Sequence, residues 1–165
     1  MEGDRGRLGE LYVRHAPSSL RLAYLLTGDR ELAEDLVQEA FARLVGRLAH
    51  LRDVEAFPVY LRQIVVNLSR MHFRRRSVER AYLRREERNS SNEGVQPDFD
   101  LREDLWKAIR NLPERQRTAI VLHFYEDLTE GQASEILGCR PGTYRSLISR
   151  GMQTLRTGMR GVRDG

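Results

Sequence analysis

The chain has 165 residues, 40% of them hydrophobic and 32% charged, with a formal net charge of +4. That length suits one ordinary domain or two small ones, and its longest unbroken apolar stretch, Leu22 to Leu26, falls far short of the ~20 residues a membrane-spanning helix needs. A start of Met1-Glu2-Gly3-Asp4 without an apolar segment argues against a secretory leader, and the single cysteine, Cys139, excludes a disulfide framework and a Cys-rich zinc site; the expectation is a cytoplasmic chain without a membrane span.

No period-two pattern bounded by turn dipeptides predicts a strand, whereas helical spacing recurs throughout. The first helical region runs from about Arg5 to Thr27, with a break or kink expected near Pro17. Gly28-Asp29 stops and restarts the chain, with Asp29 as N-cap. Leu32, Leu36, Val37, Ala40, Phe41, Leu44, Val45 and Leu48 then form one wide apolar stripe. This stretch is acidic, with seven carboxylates against four Arg between Asp29 and Glu55. The opposite holds from Arg62 to Arg85, with eight Arg against Glu79 alone. That basic run lies on a helix opened by Phe57-Pro58, where the missing N–H of proline costs nothing. Its apolar stripe is Tyr60, Leu61, Ile64, Val65, Leu68 and Met71. Residues 89–98, NSSNEGVQPD, are small and polar and read as a flexible linker. The predicted fold is all-α: two small helical domains, 1–88 and 99–165, joined by that linker.

The second half reads as four short helices. Residues 99–110 carry Leu101, Leu105, Trp106 and Ile109. Leu112-Pro113 opens a helix to about Tyr125, with Ile120, Val121 and Phe124 inward. Thr129-Glu130-Gly131-Gln132 has the spacing of a capping box, and Gly138 can close that helix in the left-handed conformation. Pro141 opens the last helix, to about Arg156, with Ile148 and Leu155 toward the core. From Ile136 to Arg163 there are six Arg and no acid.

Enzyme chemistry finds little support: no phosphate loop follows a strand, and His15, His50, His72 and His123 lack metal-ligand spacing, so neither catalytic nor metal residues nor a cofactor are assigned. Asp35 and Glu39, at i and i+4, suit a solvated or protein-docking face better than paired catalytic acids. The last two helices form a helix-turn-helix pattern, which plain helical hairpins also produce. In such a unit the second helix presents its first turns to base edges in the major groove.

Residues 33–44, AEDLVQEAFARL, together with 112–117, LPERQR, and 135–139, EILGC, resemble the extracytoplasmic-function (ECF, group four) sigma factors of the sigma-70 family. The resemblance spans nearly the whole chain and implies a non-enzymatic subunit that binds core RNA polymerase and directs promoter-specific transcription initiation. It assigns 1–88 to sigma domain 2 and 99–165 to sigma domain 4. Asp35, Gln38 and Glu39 match the motif that grips the β′ clamp helices, and part of domain 4 would hold the β flap. Tyr60, Asn67, Arg74, Arg75 and Arg76 fall on the helix that reads and opens the −10 element, with Tyr60 where the family usually has Trp. Residues 51–56 match the loop that shapes a pocket for an extruded base. Thr143, Arg145, Ser146, Ser149 and Arg150 match the −35 recognition helix. Partners implied are core polymerase, promoter DNA and an anti-sigma protein.

Some positions depart from the family pattern. Leu147 stands where many relatives have Arg, which removes a DNA contact, and Met71 where an acid is common. Gly131, Ala133 and Gly151 are small; because a helical Gly costs about 1 kcal/mol against Ala, a loosely packed second domain is expected. Two other readings stay open: a stand-alone helix-turn-helix regulator and a sigma-derived protein-interaction module. The motif around Asp35 separates them, since a simple regulator has no use for it.

Overall fold

The computed structural model describes residues 2–47, 54–82, 103–126 and 128–163. Among these there is no strand, and the chain divides into two compact units, Met1–Gly94 and Val95–Gly165. The expected linker, the start of the 51–56 loop, and Leu48, Phe99 and Leu101 lie outside the described residues.

The described residues of the first unit form α1 (Glu2–Thr27), α2 (Arg30–Val45) and α3 (Phe57–Tyr82), with a short 3-10 turn, Val54–Ala56, before α3. The expected break at Pro17 does not occur, and α1 runs through it. Pro17 can donate no bond to the carbonyl of Val13, but both residues lie on the exposed side of α1, with Val13 75% exposed. That carbonyl is therefore open to water, and the buried side of α1, with Leu11, Leu22, Leu25 and Leu26, packs on both sides of Pro17. Gly28, with φ 69°, closes α1. The carboxylate of Asp29 then caps α2 by accepting from the Leu32 N–H at 3.2 Å.

Ala33, Leu36, Val37, Ala40, Phe41 and Leu44 form the buried face of α2. Aromatic rings join the three helices: Phe41 sits 4.9 Å from Tyr12 and 5.8 Å from Phe57, and His15 lies 5.4 Å from Phe57, centroid to centroid. Fully burying one such side chain is worth roughly 1.5–3 kcal/mol, so this cluster fixes how α2 and α3 present their outer faces. On α3 the buried residues are Phe57, Leu61, Val65, Val66, Leu68 and Ser69. Tyr60 and Met71, expected in the apolar stripe, are instead exposed, because Val66 and Ser69 turn the stripe away from them.

The second unit holds α4 (Glu103–Arg110), α5 (Glu114–Ile120), α6 (Glu130–Leu137) and α7 (Pro141–Arg163). Ile109, Leu112, Ile120 and Leu155 make its core, with Leu105, Ala108 and Met152 packed against it. Arg117 donates from Nη2 to the Leu112 carbonyl at 2.9 Å, tying α5 to the turn before it.

Beyond Ile120 the chain changes winding. Val121–Tyr125 is a π turn, and the Glu126 N–H donates to the Val121 carbonyl at 3.2 Å, an i→i+5 bond. Each such bond encloses one residue more than an α turn, which shifts the phase of everything that follows. Val121 and Leu122 are therefore buried, and Phe124, expected inward, is 60% exposed, its ring edge-on to His123.

The capping box of α6 is present. Thr129 Oγ1 accepts from the Gln132 N–H at 3.2 Å, and the Thr129 N–H donates to Gln132 Oε1 at 3.1 Å. Gly138, at φ 67°, closes α6 in the left-handed region that only glycine occupies freely. Pro141 starts α7, which extends past Arg156 to Arg163.

Gly131 has open space around it, whereas the other two small residues sit inside the unit. Ala133 is fully buried, and a Cβ on Gly151 would collide with Ile120 Cδ1, so the glycine is where α7 and α5 approach closely. Leu147 is likewise buried, on the inner side of α7 with Tyr144, Gly151 and Leu155. It is not among the outward side chains of α7.

Candidate nucleic-acid and protein interfaces

Asp35, Gln38 and Glu39 all point to solvent from the outer side of α2. The spacing of three, one and four residues places them on one helix face, opposite Leu36, Val37, Ala40 and Phe41. Glu39 Oε1 accepts from Arg43 Nη2 at 2.8 Å, one turn on. Such an exposed pair is worth only about 0.3–0.5 kcal/mol, so a partner that offers a better contact displaces it easily.

Arg43 also helps line a cavity of about 620 Å³, together with Gly46, Arg47, Ile64 and Asn67. Asn67 is exposed on α3 and faces the end of α2 across this cavity. Arg43 and Arg47 went unnoticed in the sequence; the i, i+4 spacing of Glu39 and Arg43 was the available signal. Tyr60 stands 47% exposed about two turns earlier on the same helix as Asn67.

Arg74, Arg75 and Arg76 do not share a face, since consecutive helical residues are ~100° apart. Arg74 and Arg75 are exposed and Arg76 is half-buried. His72 lies beside this run, and its imidazole is pushed below the usual histidine range, first by burial and then by the charge of Arg76. The charge of Arg75 acts on His72 in the same direction, and Asp29 and Glu79 oppose it.

On α7, Thr143, Arg145, Ser146, Ser149 and Arg150 are all exposed, while Tyr144, Leu147, Gly151 and Leu155 face inward. The structure thus gathers all five predicted residues on the outer side of one helix. The Ser146 hydroxyl donates to the Gly142 carbonyl at 3.1 Å, which leaves its lone pairs to accept. The Tyr144 hydroxyl donates to the Ala119 carbonyl at 3.4 Å, so this phenol anchors α7 to α5. Burial pushes the phenol up to about 12, assisted by the nearby Glu130 carboxylate and then Cys139.

Arg145 has a partner that the sequence did not announce. Its Nε stands 3.1 Å from Glu130 Oε1, at the first residue of α6. Glu130 and Arg145 are brought together by the Gly138 turn, so no helical spacing signals the pair. Among the described residues, no three His, Cys, Asp or Glu side chains are grouped as metal ligands would be.

Comparison with known proteins matches these two units separately. Residues 11–79 fit the family described as Sigma-70 region 2, and residues 102–155 the family described as Sigma-70, region 4. The ECF RNA polymerase sigma factor SigE of Mycolicibacterium smegmatis is 35% identical over 153 residues, which cover 89% of this chain and 59% of that protein's length. The ECF RNA polymerase sigma-E factor of Escherichia coli is 30% identical over 169 residues, covering 93% of this chain and 87% of that one. The solved structure of the sigma factor RpoE of Bartonella quintana, in complex with the anti-sigma factor NepR, has the same fold, with a TM-score of 0.76 at 24% identity over 92% of this chain and 96% of that one. On the match of both regions and the extent of the E. coli alignment, the chain belongs to the extracytoplasmic-function family of RNA polymerase sigma factors.

Proposed function

We propose that the protein binds core RNA polymerase through α2 and reads promoter DNA with α3 and α7, as a non-enzymatic initiation subunit of the cytoplasm. The observation that carries this is the division of faces within the first unit. On α2, Asp35, Gln38 and Glu39 make an outward acidic face that DNA would repel. On α3 the outward charges are arginines apart from Glu79, and in the second unit the outward charges of α7 are all arginines among the described residues. A stand-alone DNA-binding regulator has no need for the first of these faces.

In this reading the region up to residue 88 acts as sigma domain 2, and the region from residue 99 as sigma domain 4. Asp35, Gln38 and Glu39 engage the β′ clamp helices, and part of the second unit engages the β flap. Tyr60 and Asn67 act on the −10 element as it opens, where unstacking costs a few kcal/mol per base that ring and amide contacts offset. Arg74, Arg75 and Arg76 hold the phosphates. Thr143, Arg145, Ser146, Ser149 and Arg150 read the −35 element from the first turns of α7. An anti-sigma protein that covers the polymerase-binding faces is the expected regulator, in keeping with the NepR complex of the Bartonella quintana sigma factor.

The test is binding to core polymerase. Replacing Asp35, Gln38 and Glu39 together by Ala is expected to abolish association with core while leaving helicity intact, because all three side chains lie outside the core of the unit. Undiminished binding by the triple variant would overturn the assignment.

A further inference from the structure

We infer that Glu130 is a positioning residue for Arg145: it holds the Nε edge of the guanidinium and so leaves the two terminal nitrogens to read a guanine in the −35 element. The inference rests on α7 being the −35 recognition helix. Three features of the structure carry it.

First, the contact is specific in its atoms. Of the nitrogens of Arg145, Nε is the one that faces Glu130 Oε1, at 3.1 Å. Nη2, which shares the Nε–H edge of the guanidinium, lies 3.9 Å from where a Cβ on Gly142 would stand, over the first turn of α7. A guanidinium can address a guanine edge either side-on, through Nε and one terminal nitrogen, or end-on, through both terminal nitrogens. With a carboxylate oxygen 3.1 Å from Nε, a base acceptor is repelled from the side-on edge and the end-on approach is favoured.

Second, Glu130 has little else to do with that oxygen. Oε1 is shielded from solvent and accepts no hydrogen bond within the chain; its contact with Arg145 is charge against charge, not aligned as a hydrogen bond. The capping of α6 is performed by Thr129 and Gln132, not by Glu130.

Third, the pair spans the two helices of the helix-turn-helix. Glu130 begins α6 and Arg145 lies in the second turn of α7. A side chain 69% exposed would otherwise sample many rotamers, and fixing it in advance reduces the entropy lost on binding a base. The carboxylate has an opposite effect on non-specific binding: it cancels part of the attraction of Arg145 for any phosphate. Glu130 therefore trades general affinity for selectivity.

That opposition of signs makes the test decisive. Holoenzyme assembled from the full chain and core polymerase would be run on a promoter library randomised through the −35 element, with Arg145→Ala, Glu130→Ala, Glu130→Gln, Thr129→Ala and the Glu130→Ala/Arg145→Ala pair. Arg145→Ala is expected to relax preference at one or two adjacent base pairs, out of the about 5- to 150-fold that a bidentate contact supplies. Glu130→Ala should relax the same base pairs by about three- to ten-fold, a fraction of that contact. The double variant should be no more relaxed than Arg145→Ala alone. Glu130→Gln, which keeps the side chain's shape, should fall between Glu130→Ala and the parent. Binding of the full chain to a duplex without promoter sequence should rise for Glu130→Ala and fall for Arg145→Ala.

Thr129→Ala weakens the start of α6 without touching Arg145, and should keep the parent's preferences. If it relaxes the same base pairs, Glu130 acts only through helix stability and the inference is wrong. The inference also fails if Glu130→Ala leaves preferences unchanged while Arg145→Ala relaxes them; the reading of α7 then stands. If Arg145→Ala itself lowers transcription uniformly with preferences untouched, it is the reading of Arg145 as a base contact that fails.

Discussion

Gly151 of α7 lies directly against Ile120 of α5, so close that a Cβ at position 151 would overlap Ile120 Cδ1 and come within 3.2 Å of Cγ1. Gly151→Ala gains about 1 kcal/mol in helix propensity but forces an overpacking worth roughly 1–3 kcal/mol. Ile120 cannot swing away freely, because Ile109, Leu112 and Leu155 surround it. The expected net result is a loss of about 1 kcal/mol in denaturant unfolding of the second unit. Adding Ile120→Val removes the offending methyl, so the double variant should be more stable than the two single losses predict. Simple additivity would show that the two residues do not press on each other.

Leu147→Arg tests the burial of α7's inner side. If position 147 faced DNA, the substitution would add a phosphate contact and tighten binding. Leu147 is only 7% exposed, so the guanidinium must be desolvated or force the helix outward. The expected cost is about 2–4 kcal/mol of stability, read as a lowered unfolding midpoint, with no gain in affinity for duplex DNA. A stable variant with tighter DNA binding would put residue 147 on the outside.

The first unit is expected to weaken in mild acid. Burial, and then the charge of Arg14, hold His15 below its ordinary value of 6.5; His72 is lowered in the same direction. A lowered folded-state value means that the unfolded chain binds more protons in the window just below pH 6.5. Stability is therefore full above pH 6.5 and fades as pH falls through the folded-state values. His15→Gln removes one titrating group and should flatten the dependence of the midpoint on pH between neutral and mildly acidic conditions. An unchanged slope in both His15→Gln and His72→Gln would mean that neither imidazole is held neutral by the fold.

The second unit is expected to fail at the alkaline end. The Tyr144 phenol, normally near 10, is pushed up to about 12 by burial and then by Glu130 and Cys139. Between those values the unfolded chain has released a proton that the folded chain retains, so stability is complete below pH 10 and is lost as pH rises toward 12. Tyr144→Phe gives up one long hydrogen bond to the Ala119 carbonyl, a cost of about 0.5–1 kcal/mol at neutral pH. In exchange it should unfold with a shallower alkaline slope than the parent. Equal slopes would place the phenol in water.

Local signals in the sequence were sufficient wherever one helix or one turn decided the outcome. Asp29, the Thr129–Gln132 box, Gly138 and Pro141 each act on backbone groups within a few residues, and each ends or starts a helix as its chemistry requires. The outward positions of Asp35, Gln38 and Glu39 follow from the apolar stripe they interrupt. What could not be read depended on contacts between distant elements. Pro17 stays helical because the other side of α1, from Leu11 to Leu26, is buried, Phe124 turns outward because three consecutive apolar residues, Ile120 to Leu122, all find burial, Gly151 is defined by Ile120 across from it on α5, and Leu147 by its burial. The pairing of Glu130 with Arg145 belongs to the same class, since only the geometry of the Gly138 turn brings the two together.

The π turn at Val121–Tyr125 makes one stretch of the second unit tolerant of changes in chain length. A turn that already contains a surplus residue can surrender it and become an ordinary α turn, while the helices on either side keep their positions. Deleting exposed His123 would do this, whereas deleting a residue inside α7 would rotate everything beyond it by about 100° and send Leu155 out of the core. A change of chain length has a harmless outlet here, and the number of residues between α5 and the helix-turn-helix can change without disturbing the face of α7. Cooperative unfolding retained after the His123 deletion, but lost after deletion of Ser149, would be the signature of that outlet.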